Sequence, residues 1–137
     1  MTLPIERFLD TNVLLRYFTR DDERKAERAR ALLTRVLDGQ ERVETSTIII
    51  FETVYGLQRL YHVPKGTIRD MLVAVLNLRG LHLPEKAQCI RALNLFVEKN
   101  VSFANAYNAV YLTARNQEIY SWDTDFDRID GVVRLEP

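Results

Sequence analysis

Two aspartates directly follow short segments that predict strands. Asp10 follows the segment at 5–9, and Asp123 follows the apolar run at 119–122. Carboxylate oxygens are hard ligands that suit Mg²⁺ or Mn²⁺, and carboxylates gathered at one place repel one another unless a cation lies among them. Bound metal ions can activate a water, align a phosphodiester and stabilise the leaving oxygen. The chemistry that these residue types suit best is therefore metal-dependent hydrolysis of phosphodiester bonds.

Other catalytic motifs are missing from the sequence. There is no glycine-rich phosphate loop and no histidine pair at helical spacing, and Cys89 is the only cysteine. A single cysteine allows no intrachain disulfide, favours a reducing compartment and is expected to be a core residue. His62 and His82 are expected to have structural or surface roles. A phosphatase or phospho-receiver is disfavoured, because the DTN sequence at 10–12 lacks the second aspartate of a D-x-D phosphatase.

The elements that must position the aspartates alternate between strand and helix. Short segments bounded by turn residues predict strands at 5–9, 42–46, 81–83, 119–122 and 132–135, of which the last two are apolar runs. This alternation predicts a three-layer α/β fold, in which helices flank a parallel sheet of about five strands. Because ligands of such sheets lie beyond the carboxyl ends of the strands, Asp10 and Asp123 are expected to project from the same edge.

Apolar residues at helical spacing predict the helices. Their buried faces fall at 29–37, 50–57, 68–76, 89–97 and 103–114. Asp21 or Asp22 is expected to cap the first of these helices. Thr67 is expected to open the third with a capping-box pattern, and Ser102 to cap the last. Glu52 lies in the first turns of the second helix.

Size and composition indicate a soluble globular protein. The chain has 137 residues, of which 47% are apolar and 28% charged, and we expect a single domain over 1–137. The apolar stretches are too short for a membrane span, and charged residues interrupt any signal-peptide h-region. We therefore expect a cytoplasmic protein that makes no membrane contact. The net charge is zero, but residues 16–35 are basic and residues 118–137 acidic, which suits an acidic metal pocket bordered by a basic approach.

Four segments resemble, in order and spacing, PIN-domain proteins of the VapC toxin type. They are LDTNVLLRYF from Leu9, IFETVYGL from Ile50, SFANAYNAVYLTAR from Ser102 and YSWDTDFDRIDGVVRLEP from Tyr120. Together they extend over nearly the whole chain. The resemblance implies a metal-dependent endoribonuclease of a type II toxin–antitoxin system that uses Mg²⁺ or Mn²⁺. It also implies a homodimer whose activity a small antitoxin protein inhibits.

The resemblance assigns the catalytic metal ligands. The first acidic ligand of the family matches Asp10, the second matches Glu52 and the fourth matches Asp123, with Asp125 as an auxiliary acid. The third position holds Asn105 instead of an aspartate, in a naturally attenuated enzyme or through an engineered substitution. An amide brings no negative charge and cannot act as a base, so we expect weaker metal binding and lower activity. The alternative is a catalytically inactive PIN-like domain that binds RNA or protein.

Several residues are candidates for contact with RNA, although each also fits an ordinary turn or solvated position. The polar residues that could hold a metal-bound water or a phosphate oxygen are Thr11, Asn12 and Ser46. The basic residues that could contact phosphates are Arg16, Arg20, Arg24 and Lys25. Trp122 and Phe126 could stack a base, but their spacing is more typical of core residues.

Overall fold

A computed structural model describes residues 7–137 of the chain. The described residues divide into two compact units, with the boundary between residues 86 and 87. Positions 5 and 6 of the first predicted strand lie outside the described residues. The expectation of a single domain stays a prediction.

The first unit contains three strands and four helices. In chain order they are β1 (Arg7–Phe8), α1 (Thr11–Thr19), α2 (Glu23–Leu37), β2 (Val43–Glu44), α3 (Thr47–Arg59), α4 (Lys65–Leu76) and β3 (Leu81–His82). The strands form a parallel sheet in the order β1-β2-β3, with Val43 opposite both Arg7 and Leu81. Hydrogen bonds from Leu9 N to Glu44 O, 2.8 Å, and from Thr45 N to His82 O, 3.0 Å, extend the pairing beyond the strands.

In the first unit, α1 contacts both α2 and α3, and α4 contacts α3. Leu14 of α1 is fully buried. The approach of α1 to α3 is close, because a Cβ added at Gly56 would lie 3.3 Å from both methyl carbons of Leu15. On α2 the buried residues Ala26, Ala29, Leu33 and Val36 form one stripe. The sequence predicted Ala29, Leu33 and Val36 of this stripe, but Leu37, which was also predicted to be buried, is 54% exposed because it is the last residue of the helix. Asp22 is confirmed as the cap of α2, since its side chain accepts a hydrogen bond from Lys25 N.

The second unit contains the remaining elements. They are α5 (Lys86–Glu98), α6 (Phe103–Arg115), β4 (Ile119–Tyr120), a 3₁₀ helix (Thr124–Arg128) and β5 (Arg134–Leu135). Strands β4 and β5 pair in parallel, with Ile119 opposite Arg134. Cys89 and Phe96 of α5 are fully buried. The core position expected for Cys89 is therefore confirmed.

The α/β class predicted from the sequence is confirmed, with some corrections to the elements. All five strands of the described residues pair in parallel, but they form sheets of three and two strands rather than one continuous hydrogen-bonded sheet. Helix α4 begins at Lys65, two residues before the predicted Thr67. The carbonyl of Pro64 accepts a hydrogen bond from Ile68 N, so the first turn already includes the residues ahead of Thr67. None of the helices within residues 7–137 is both long and apolar enough to span a membrane.

Candidate active site

Asp10 stands where the first strand passes into α1. Leu9, which precedes it, is buried and bonded to β2, while Asp10 itself is exposed. Asp10 has an extended backbone and caps the helix, with its carboxylate accepting a hydrogen bond from Thr11 N at 2.9 Å. Only one local hydrogen bond holds this carboxylate among the described residues. Its remaining oxygen lone pairs are available to a ligand.

Thr11 carries an unusual polar atom beside Asp10. The residue is only 9% exposed, and its hydroxyl oxygen is buried with no hydrogen-bond partner in the described part of the chain. An unsatisfied buried hydroxyl costs about 1–3 kcal/mol unless a water or ion completes it. The surroundings of Asp10 are therefore suited to a bound polar species.

Glu52 lies on the exposed side of α3. Ser46 caps this helix, its hydroxyl accepting from Ile49 N at 3.4 Å. Thr53, the next residue after Glu52, is fully buried and donates its hydroxyl hydrogen to Ile49 O at 2.7 Å. This packing turns the Glu52 carboxylate toward solvent. Helix α3 contacts α1, whose first residue follows Asp10.

In the second unit, Asn105 and Asp123 are directly hydrogen-bonded. Ser102 caps α6 by accepting from Asn105 N at 3.1 Å, which fixes Asn105 at the third helical position, as the sequence predicted. The side-chain nitrogen of Asn105 donates to an oxygen of Asp123 at 2.8 Å. The other oxygen of Asp123 accepts from Asp125 N at 2.9 Å, where the 3₁₀ helix begins.

These donors lower the pKa of Asp123 from its ordinary value. The backbone N–H of Asp125 is the larger cause, and the Asn105 amide the second. Both stabilise the carboxylate more than the protonated acid, so Asp123 is charged at neutral pH. The charge is thus stabilised by neutral hydrogen-bond donors.

The auxiliary acid Asp125 has a partner of its own. Its carboxylate forms an ion pair with Arg128, one turn later in the 3₁₀ helix. Arg134 of β5 pairs in turn with Asp127, at 2.9 Å. Asp125 is therefore less available to a cation than Asp123.

The carboxylate and amide oxygens of these residues are of the chemical types that bind a hard divalent cation, but only some of the side chains lie close together. Within residues 7–137 no group of three or more His, Cys, Asp or Glu side chains is placed to hold a metal. Asn105 directs its N–H, not its carbonyl oxygen, at Asp123. The amide would have to turn over before its oxygen could coordinate a cation beside Asp123.

The sequence profile of the PIN domain matches residues 7–132. This range includes every candidate ligand. The chain belongs to the PIN-domain family. PIN domains are generally nucleases that use divalent metal ions and bind RNA. No curated protein matches the chain closely enough to refine the assignment.

The basic residues predicted to contact RNA are partly engaged within the PIN domain. Arg16 forms an ion pair with Asp21 at 2.8 Å, and Arg20 pairs with Glu23 at 2.8 Å. Arg16 also lines a groove between α1 and α2, together with Asn12, Lys25, Arg28 and Arg35. Arg28 and Arg35 were not among the residues predicted to contact RNA, although the basic residues at 25, 28 and 35 share one helical face and could have indicated them.

The two aromatic residues near Asp123 differ in burial. Phe126 is 3% exposed and belongs to the core, as its spacing predicted. Trp122 is 70% exposed, so the core position expected for it is wrong. The residue follows a strand of only two residues, and helical or strand periodicity does not extend to it. Its indole is accessible to a ligand next to Asp123.

Proposed function

We propose that this PIN domain is a metal-dependent endoribonuclease of a type II toxin–antitoxin system, attenuated because Asn105 replaces an aspartate. Asp10, Glu52 and Asp123 would hold Mg²⁺ or Mn²⁺, with the Asn105 carbonyl and Asp125 as weaker ligands. A bound ion would supply an activated water and charge stabilisation at the RNA phosphodiester. A cytoplasmic location is part of the proposal.

The hydrogen bond between Asn105 and Asp123 is the observation that carries the proposal. These residues are 18 positions apart, yet their side chains are 2.8 Å apart. They match the third and fourth acidic positions of the family, which need to be neighbours to share a cation. The contact supports the assignment, made from the sequence motifs, of Asn105 and Asp123 to these two ligand positions.

The unsatisfied hydroxyl of Thr11 gives independent support in the first unit. It is a buried polar atom beside Asp10, the residue that matches the first acidic ligand of the family. A core selected only for stability would contain an apolar or hydrogen-bonded side chain there. A bound ion or its water would satisfy the hydroxyl.

Attenuation follows from the chemistry of Asn105. Its amide carries no charge. In the hydrogen bond to Asp123 the amide points its N–H group, rather than its carbonyl oxygen, toward the place where a cation needs an oxygen ligand. Cation binding must break this bond and turn the amide over. Metal affinity should therefore be lower than in a site with an aspartate at 105.

Cleavage of RNA by Asn105→Asp is the decisive experiment. With Mn²⁺ we expect weak cleavage by the original chain and at least about tenfold faster cleavage by the variant, on the order of 1.4 kcal/mol off the barrier. Asn108→Asp adds the same charge to an exposed position of α6 and should not change the rate. Adding Asp10→Ala to Asn105→Asp should abolish cleavage. An Asn105→Asp variant that neither cleaves RNA nor binds Mn²⁺ would remove the mechanism.

The same hydrogen bond favours one alternative, a PIN domain that binds RNA or protein without cutting. With Asn105 bonded to Asp123, the two side chains are satisfied without a cation. In this case the original chain would bind RNA equally well with and without Mn²⁺, and no product would form. The cleavage assay with Asn105→Asp separates the alternatives.

A homodimer and a small antitoxin are further parts of the proposal. Helix α3 exposes a row of apolar side chains at helical spacing, Ile48, Phe51 and Tyr55, which are 69%, 42% and 55% exposed. Such a row is suited to burial against another protein surface. Light scattering tests the dimer, and a monomer at the concentrations of the assay would contradict it.

A further inference from the structure

The groove between α1 and α2 is lined by positively charged side chains. It has a volume of about 620 Å³, and four basic side chains line it: Arg16, Lys25, Arg28 and Arg35. Among residues 7–137, no acidic side chain lines it. Since the net charge of the chain is zero, this concentration of positive charge is local.

The acidic residues of α2 lie away from the groove. Glu23 pairs with Arg20, and Glu27 pairs with Arg30 on the same helix. At 100° per residue, Glu23 and Glu27 point to the side of α2 opposite Lys25 and Arg28. Neither Lys25 nor Arg28 has a carboxylate within ion-pair distance among residues 7–137. Of the four cations that line the groove, Lys25 and Arg28 therefore keep their positive charge uncompensated.

The spacing of the cations fits a polymer better than a single anion. Lys25, Arg28 and Arg35 share one face of α2 and extend over about 15 Å at 1.5 Å per residue. One phosphate needs only one or two cations, whereas a strand of nucleic acid offers a negative charge at every nucleotide. Arg16 and Arg35 already have acidic partners, Asp21 and Glu41, which leaves Lys25 and Arg28 as the strongest attractors.

The floor of the groove is apolar. Val13, Ala29, Ala31 and Leu32 line it between the cations. Such surface can contact the faces of unstacked bases, while the basic rim tracks the phosphates. A duplex hides its base faces and would use only the rim. Asn12 lines the groove two residues after Asp10, so the lining of the groove begins close in sequence to the first candidate ligand.

We propose that the α1–α2 groove binds a segment of single-stranded RNA, with Lys25 and Arg28 as the principal phosphate contacts. This inference rests on the proposed RNA substrate and adds where the strand lies and which form of RNA is bound. An acidic peptide would also be attracted by the charge. It is disfavoured because cations extended in a row over an apolar floor match the repeating phosphates and bases of one strand.

Binding without metal tests the groove separately from cleavage. Fluorescence anisotropy of the full chain in EDTA, with a labelled RNA of about 12 nucleotides, gives the affinity between about 50 and 200 mM salt. Replacing Lys25→Gln and Arg28→Gln together should reduce the slope of log K against log salt by about 1.4, or about 0.7 for each phosphate that the protein no longer neutralises. Single-stranded RNA should bind more tightly than a duplex of the same length.

Arg30→Gln is the matched control. Arg30 is a cation of the same helix, but it lies outside the groove and pairs with Glu27. It should leave the slope unchanged, and Arg28→Gln should reduce it by about 0.7. Equal effects of the two single variants, preference for duplex, or equal displacement of the RNA by an acidic peptide of matched charge would each overturn the inference.

A second measurement requires no variant. Bound RNA should protect Lys25 from acetylation in the original chain, while Lys86 and Lys99, outside the groove, should react as before. Unprotected Lys25 with bound RNA would place the strand elsewhere. Binding that depends on the groove without any cleavage, even by Asn105→Asp, would contradict the proposed function alone. Cleavage that does not depend on Lys25 and Arg28 would contradict the groove alone.

Discussion

Asn105 replaces charge repulsion with a hydrogen bond. An aspartate at this position would bring a second carboxylate next to Asp123, where the present chain has an N–H donor at 2.8 Å. Two like charges about 4 Å apart repel by up to about 4 kcal/mol at an effective dielectric of 20, and exposure to solvent reduces this value. Asn105 therefore stabilises the arrangement of Asp123 in the absence of a cation.

The same side chain should determine how far stability depends on metal. In EDTA, Asn105→Asp should lose about 1 kcal/mol of unfolding free energy, or several degrees of Tm, because two carboxylates meet without a cation. Mn²⁺ should raise the Tm of this variant more than that of the original chain, because the ion binds the folded state alone. Thermal denaturation with and without Mn²⁺ measures both effects.

Asn108→Asp provides the comparison for charge alone. It adds one carboxylate to α6 at an exposed position one turn from Asn105. It should respond to Mn²⁺ as the original chain does. Equal destabilisation of the two variants in EDTA would show that the contact with Asp123 is unimportant.

Among the secondary-structure elements, the sequence predicted the features that depend on neighbouring residues, such as buried helix faces and helix caps. The apolar stripe of α2 and the caps Asp22 and Ser102 follow from residues close in sequence. The start of α4 was misplaced because the carbonyl of Pro64 closes the first turn without a side-chain signal. The motifs assigned Asn105 and Asp123 to one metal site, but their hydrogen bond could not be predicted, because its geometry depends on the path of the 17 residues between them.

Gly80 fixes the approach of α4 and β3 to the chain after α2. Its N–H donates to Val36 O at 2.9 Å, and its carbonyl accepts from Val43 N at 2.9 Å. A Cβ at this position would lie 2.2 Å from the carbonyl oxygen of Glu41 and 2.9 Å from that of Val36. Because backbone atoms form both contacts, no side-chain rotation relieves them.

Gly80→Ala should therefore destabilise the protein strongly, by more than about 2 kcal/mol in a urea titration. Gly66→Ala is the matched control, since nothing lies within 4 Å of a Cβ there and the residue is in α4. The control should be stabilised by about 0.5–1 kcal/mol through the higher helix propensity of alanine. A Gly80→Ala variant as stable as the original chain would mean that the backbone moves apart at little cost.

Although the net charge of the whole molecule is zero, folding stabilises the ionised form of several of its carboxyl groups. Asp21 is the clearest case: Arg16 donates to it at 2.8 Å and the Tyr61 hydroxyl at 2.7 Å. This network connects the end of α1 to the segment that follows α3. The hydrogen bond from Arg16 is the main cause that lowers the pKa of Asp21 from 3.8 to about 2, and Tyr61 is the second. Hydrogen bonding also lowers the pKa of Glu27, Asp123 and Asp127.

Because the pKa of Asp21 is lower in the folded state than in the unfolded state, its contribution to stability must decrease as the pH falls. The stability due to Asp21 is fully present above its unfolded pKa near 3.8 and is lost as the pH falls toward about 2. Asp21→Asn should lower Tm at pH 7 and remove part of the decrease in Tm between pH 4 and pH 2. As the pH falls to 2 and below, the Tm values of the two proteins should converge, because protonated Asp21 is as neutral as the amide. Asp38→Asn, which removes an exposed carboxyl of the same unit outside this network, should leave the acid response unchanged. Thermal denaturation across this pH range measures the difference, and parallel curves for Asp21→Asn and the original chain would show that the network contributes nothing to acid stability.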